Sequence, residues 1–232
     1  MEDILPNQGK NLIIEVAGVK YERYPFKTHV ISDQDNMVEV LKKYLSSYWQ
    51  PDDMIFISEK IVAINQGRAY PIKDIHPSKL AYFLLKFVHK SPYGIGIASP
   101  WTMELAIREA GYPKLFLGLI ASAITKPFGI KGVFYRICGK TVAAIDGPAD
   151  YVLPPYNKYA KLGPLHPDKT AKELKEAINY EVVIIDANDI GVSVLGKSNK
   201  DISDKWACAV FKDNPLGQTN QQTPLCLVRK VK

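Results

Sequence analysis

At 232 residues the chain can bury the core of one large domain or two small ones. Its 47% apolar and 23% charged residues are ordinary for a globular protein, and thirty basic residues against twenty-four acidic ones give a net +6. That balance is compatible with phosphate-bearing ligands, but the excess reads as spread along the chain, only the ending LVRKVK being locally basic. Cys138, Cys208 and Cys226 are odd in number, far apart and without a CxxC, so neither a disulfide framework nor a zinc cluster is suggested. The four histidines are equally scattered. No basic-then-apolar leader opens the sequence, and the longest apolar run, LFLGLIASAI at 115–124, is half of the roughly 20 residues a membrane span needs. The expectation is a cytoplasmic protein with no membrane partner. With no basic aromatic stripe, no nucleic-acid partner is expected either.

In chain order, NLIIEVAGVKYERYPF alternates and is β-branched, so one or two strands are expected between Asn11 and Val30. NMVEVLKKYLSSYW carries apolar residues at helical spacing, with Asp35 or Asn36 as its cap. Pro51-Asp52-Asp53 makes a turn before a short buried strand, MIFIS. SEKIVAINQGR leaves that strand as a helix capped by Ser58 and closed by Gly67. HPSKLAYFLLKFVHK is an amphipathic helix, and SPYGIGIASP a loop. WTMELAIREAG is a helix stopped by Gly111, and KLFLGLIASAITK a more buried one stopped by Pro127. GVFYRICGKTVAAID reads as a hairpin around Cys138-Gly139-Lys140. The proline-rich GPADYVLPPYNKYAKLGPLHPD allows no continuous helix or central strand. Thr170 and Glu173 have capping-box spacing and open a helix. EVVIID, GVSVLG and LCLVRKV are the last strands. Segregated strands and helices without regular βα alternation predict an α+β fold with mixed or antiparallel sheets. One unit over 1–232 is expected, with a helical insertion at 91–131.

Three segments carry chemistry. GIGIASP could let backbone N–H groups approach an anion, yet it lacks GxGxxG and GxxxxGK[ST]. Asp146 and Asp186 end two expected strands, TVAAID and EVVIID, where carboxylates suit a hard divalent cation. Asp before Gly-Pro and Asp-x-Asn-Asp are also ordinary turn chemistry, and on residue types alone the turn is the simpler reading. In SEKIVAINQGR, Lys60 starts a helix that leaves a buried strand and Arg68 follows the closing glycine, positions from which cations reach phosphates or remain merely solvated.

Together these stretches resemble the coenzyme F-420-0:L-glutamate ligase (γ-glutamyl ligase) family. RYPFKTHVISDQDNM resembles its Pro-φ-(Lys/Arg)-Thr segment, acidic loop and helix, and MIFISEKIVAINQGR its (S/T)-x-K-(I/V)-V segment ending in Gly-Arg. IDGPADYVLPPYN with DKTAKELKEAI resembles its aspartate, Leu-Pro-Pro turn and helix, and VVIIDANDIG its later strand ending in an aspartate. The order holds from about residue 21 to 196. The resemblance implies a γ-glutamyl ligase-like fold, usually an intertwined homodimer. It also implies amide formation from GTP or ATP with Mg²⁺ or Mn²⁺, through an acyl phosphate that an amino acid's amine displaces. Carried over, Asp146 and Asp186 would be metal ligands, with Asn188 a neighbouring ligand or orienter. Lys60 and Arg68 would lie near the nucleotide phosphates, and no single catalytic residue is assigned. The chain departs where the family has Gly-Arg and further arginines and it has Asn188-Asp189-Ile190-Gly191. Residues 91–136 have no counterpart, and the match fades after Gly196. A changed acceptor is therefore expected, the alternative being a catalytically lapsed protein that binds a small ligand or a protein partner.

Overall fold

The structure is a computed structural model describing residues 4–88, 96–130, 132–188 and 191–231. Strands β1 (Ile13–Val16) and β2 (Val19–Phe26) lead to helix α1 (Met37–Leu45), then β3 (Met54–Ser58) and α2 (Glu59–Asn65). β4 (Ala69–Pro71), α3 (Lys79–Leu85), α4 (Pro100–Thr125), α5 (Val133–Cys138), α6 (Lys140–Ala143) and β5 (Tyr159–Lys161) follow. α7 (Pro167–Ile178), β6 (Glu181–Ala187), β7 (Val192–Lys197), α8 (Asp204–Val210) and β8 (Leu225–Lys230) complete the chain. They form two compact units, one of Met1–Gly67 with His166–Lys232 and one of Arg68–Leu165. The α+β expectation holds, and the stretch 91–131 falls inside the second unit.

In the first unit a six-stranded sheet runs β1-β2-β8-β3-β6-β7. All neighbours are antiparallel except β3 and β6, which run parallel from Met54 opposite Glu181 to Ser58 opposite Ile185. β3 is bonded on both edges, and Ile55, Phe56 and Ile57 are wholly buried, as a continuous apolar run requires when both sheet faces are covered. β8 fills the gap between β2 and β3. The ending WACAVFKDNPLGQTNQQTPLCLVRKV, where the resemblance fades, supplies most of α8 and, in the strand expected at LCLVRKV, an interior strand of the sheet. Phe211 stacks on Phe56, and the buried Arg23 of β2 bonds the Val210 carbonyl and pairs with Asp213. That ion pair draws Asp213 below the usual carboxylate range despite its partial burial.

One expectation about helix starts fails and one holds. α7 begins at Pro167, not at the Thr170–Glu173 box. Proline's fixed φ suits the first helical position, His166 takes the cap residue's place, and Thr170 lies one turn inside, accepting from Gln66 Nε2. Asn36, by contrast, caps α1 as expected, accepting from the Val38 and Glu39 N–H groups.

The second unit packs α3 and α5 on α4. Gly111, at φ 71° and ψ 156°, breaks α4 where the sequence placed a helix end, a conformation an L side chain resists. Residues 133–143 are two short helices, α5 and α6, and not the expected hairpin. Phe134 and Cys138 stand one turn apart and both close on Gly118 of α4, so the helical period wins over the β-branched composition. Gly94 and Ile95 of the GIGIASP loop lie outside the described residues.

Gly196 of β7 lies against the start of α7: an added Cβ would stand 2.3 Å from the Pro167 carbonyl carbon and 2.6 Å from the Asp168 nitrogen. Gly196→Ala should therefore destabilise the protein by about 2–3 kcal/mol, because backbone cannot yield as a flexible side chain can. Urea unfolding midpoints check this; an unchanged midpoint would contradict it.

Candidate active site

β3 and β6 end side by side, because Ser58 is in register with Ile185. The next residues on β3's side are Glu59 and Lys60, the opening of α2, and on β6's side Asp186. Parallel strands thus deliver a cation and a carboxylate to one edge of the sheet, the edge at which open α/β sheets bind ligands. A register shift between Ile184 and Ile185 makes Leu195 an extra residue on β7 just before Asp186, and such bulges re-aim the side chains beside them. Asp186 and Lys60 are half-buried, whereas Glu59 is buried.

Asn188 binds the end of this strand. Its backbone exchanges hydrogen bonds with Gly191 at 3.0 and 3.2 Å, its Oδ1 accepts the Gly191 N–H at 3.1 Å, and its Nδ2 donates to Asp186 Oδ1 at 3.3 Å. This is the geometry of an orienting group that also closes the β6–β7 connection. Asp189, the acid that replaces the family's arginine pattern, lies outside the described residues.

The acidic loop after β2 is tied to the same helix. His29 places Nδ1 2.9 Å from the Tyr44 hydroxyl and Nε2 2.9 Å from Asp35 Oδ1, and Asp35 Oδ2 accepts the Ser32 N–H and hydroxyl. Asn65, last residue of α2, donates to the Ser32 and Asp35 carbonyls at 3.1 and 2.6 Å. Three of the four resembling segments are therefore neighbours in the first unit. The His29–Asp35–Tyr44 set was not picked out from sequence; its only signal is Ser32 three residues before Asp35, the spacing of a side-chain-closed turn.

Arg68 and Asp146 belong to the second unit. Arg68 is buried, with Nε donating to the Gly163 carbonyl at 2.6 Å and NH2 to Glu109 at 2.7 Å, and its own carbonyl accepts the Leu162 N–H. Asp146 does not end a strand, because TVAAID is helical until Ala143; it forms an isolated antiparallel bridge to Lys161 of β5, N to O at 2.9 and 2.8 Å. Residues so paired project to the same face, and Lys161 is 2% exposed, so a buried lysine flanks the candidate metal-ligand aspartate. Sequence reasoning missed Lys161, whose strand is only Tyr159–Lys161 in a proline-rich stretch.

Among the described residues no group of three His, Cys, Asp or Glu could hold a metal ion by itself. The donors fit a different mode. Mg²⁺ and Mn²⁺ take one or two carboxylates and complete their shell with water and substrate phosphates. Asp186, half-buried and oriented by an amide at the mouth of a strand beside Lys60, suits that use.

The Ser32 N–H, with the His29 and Ser32 side chains, holds Asp35 below its ordinary 3.8 against the opposing effect of burial. A carboxyl lowered on folding stabilises fully above its ordinary value and stops doing so as pH falls through the lowered one. Asp35→Asn should accordingly lower stability near neutral pH, and the gap to the wild type should close on acidification below about pH 4. Urea titrations at a series of pH values check this; a gap that stays constant would contradict it.

A family model described as F420-0:Gamma-glutamyl ligase matches residues 25–197. The match leaves out β1, nearly all of β2, α8 and β8. No curated protein matches the chain. No helix among the described residues is long and apolar enough to cross a membrane.

Proposed function

Because the chain belongs to the F420-0:Gamma-glutamyl ligase family, we propose that it is a nucleotide- and metal-dependent ligase that joins an amino acid to a carboxylate acceptor. The observation that carries the reading is the delivery of Lys60 and Asp186 to adjacent ends of the one parallel strand pair among the described residues. In the reaction a carboxylate oxygen of the acceptor attacks the γ-phosphorus of GTP or ATP and the nucleoside diphosphate leaves. The neutral amine of the incoming amino acid then attacks the acyl carbon, inorganic phosphate leaves, and the nitrogen loses a proton. A carboxylate becomes an electrophile only when one of its oxygens becomes such a leaving group.

The protein's part is positioning and charge. Lys60 would neutralise phosphate oxygens, Asp186 would hold the divalent ion, and Asn188 orients the Asp186 carboxylate through its side-chain amide. Bound Mg²⁺ or Mn²⁺ supplies charge neutralisation on the phosphate oxygens. Asp146 would likewise be a metal ligand in this reading, with the buried Lys161 opposite it in the backbone bridge. Arg68 serves the phosphates less directly, since two of its nitrogens already bond Gly163 and Glu109. The replacement of the family's arginines at 188–191 favours an acceptor other than the deazaflavin coenzyme. The homodimer expected from resemblance belongs to the same proposal.

Calorimetry of GTP and ATP with Mg²⁺ or Mn²⁺ tests this reading. Nucleotide binding that requires the metal is expected, weakened about tenfold or more in Lys60→Ala and in Asp186→Ala, the loss of roughly one well-made charge contact. Folded protein that binds neither nucleotide with either metal would contradict the assignment.

A further inference from the structure

The net charge of the chain is segregated by unit. Residues 68–165 hold thirteen Lys and Arg against five Asp and Glu, a formal +8, while the remainder holds seventeen against nineteen, a formal −2. This overturns the sequence reading of an evenly spread excess. The basic unit also carries the most exposed apolar surface. After the break at Gly111, α4 turns Leu115 and Gly118 inward onto α5. Phe116, Leu117, Ile120 and Ile124 fall within about 100° of arc on the opposite side at 100° per residue. All four are exposed, Ile124 by 61%, and the turn that follows adds Phe128, exposed by 78%, and Ile130. An apolar stripe of this kind on a single helix face is not normal surface; it marks something that covers it.

We propose that this face seats on an anionic lipid surface. Exposed Lys114 and Lys126 bracket the stripe, and no Asp or Glu occurs between Glu109 and Asp146. The two carboxylates earlier on α4 are engaged within the unit, Glu104 by the Ser78 N–H and Arg108, Glu109 by Arg68. A second copy of the chain is the poorer occupant. A two-fold contact sets a patch against itself, so these lysines would face lysines with no carboxylate to meet them. Spanning is equally excluded for this helix: from Tyr112 to Thr125 it reaches about 21 Å, short of the ~30 Å hydrocarbon layer. A helix lying in the interface, with Phe128 and Ile130 as an apolar tip and lysines at headgroup level, satisfies both the apolar and the charge pattern. The inference replaces the sequence expectation of no membrane partner and is independent of the ligase reading.

Vesicle co-sedimentation tests it, using phosphatidylcholine alone and phosphatidylcholine mixed with phosphatidylglycerol. The full chain should bind the anionic vesicles and not the neutral ones, and should release on raising salt. Ile124→Ser with Phe128→Ser should weaken binding about tenfold or more with the circular dichroism spectrum unchanged, since both residues are exposed. Lys114→Glu with Lys126→Glu should abolish the preference for anionic lipid. Folded wild-type protein that ignores anionic vesicles, or a serine variant that binds as the wild type does, would overturn the proposal. So would light scattering in which the serine variant loses the mass of a second copy, which would assign the face to self-association.

Discussion

The parallel pairing of β3 with β6 is the constraint on which the rest of the first unit depends. Parallel strands need a crossover, and here the crossover contains the whole second unit and α7. The pairing fixes Ser58 against Ile185, so the first residues of α2 and the carboxylate after Ile185 emerge at the same edge. A slip of one residue would carry Asp186 to the other face and bury its charge among Ile184, Ile185 and their neighbours. The apolar runs IFI and VVII make that slip costly, and the side-chain amide of Asn188 fixes the carboxylate once the register is set.

β8 secures the other edge of β3. Without it Ile55, Phe56 and Ile57 would face water along an open edge, and β2 would lose its partner over Tyr21–Phe26. A match that spans residues 25–197 thus covers the segments proposed to carry the chemistry and omits strands and a helix that complete the sheet holding them. The omitted parts are held by interactions of this chain's own, the Arg23–Asp213 pair and the Phe56–Phe211 stack.

Much of this was legible in the sequence because period and punctuation agreed. The runs IIEV, MIFIS, EVVIIDA and LCLVRK are β-branched and short, and the caps and stops at Asn36, Gly67 and Gly111 fall where side-chain oxygens or positive φ are needed. What escaped was decided by contacts far along the chain. VFYRIC has strand composition, but Gly118 leaves room for Phe134 and Cys138 only if they lie one helical turn apart. That helix in turn moves Asp146 from a strand end to a bridge with Lys161, a partner that no local pattern announces. The charge segregation was hidden for a simpler reason: the basic unit is one contiguous stretch, but its boundaries are set by packing.

The central claim is that the edge formed by β3 and β6 holds a divalent ion for a nucleotide. Electron paramagnetic resonance of Mn²⁺ titrated into the protein with saturating GTP or ATP tests it most directly. The account predicts a protein-bound Mn²⁺ signal that Asp186→Asn removes and Asp201→Asn, a carboxylate on an exposed turn, leaves intact. A bound signal that persists unchanged in Asp186→Asn would contradict it.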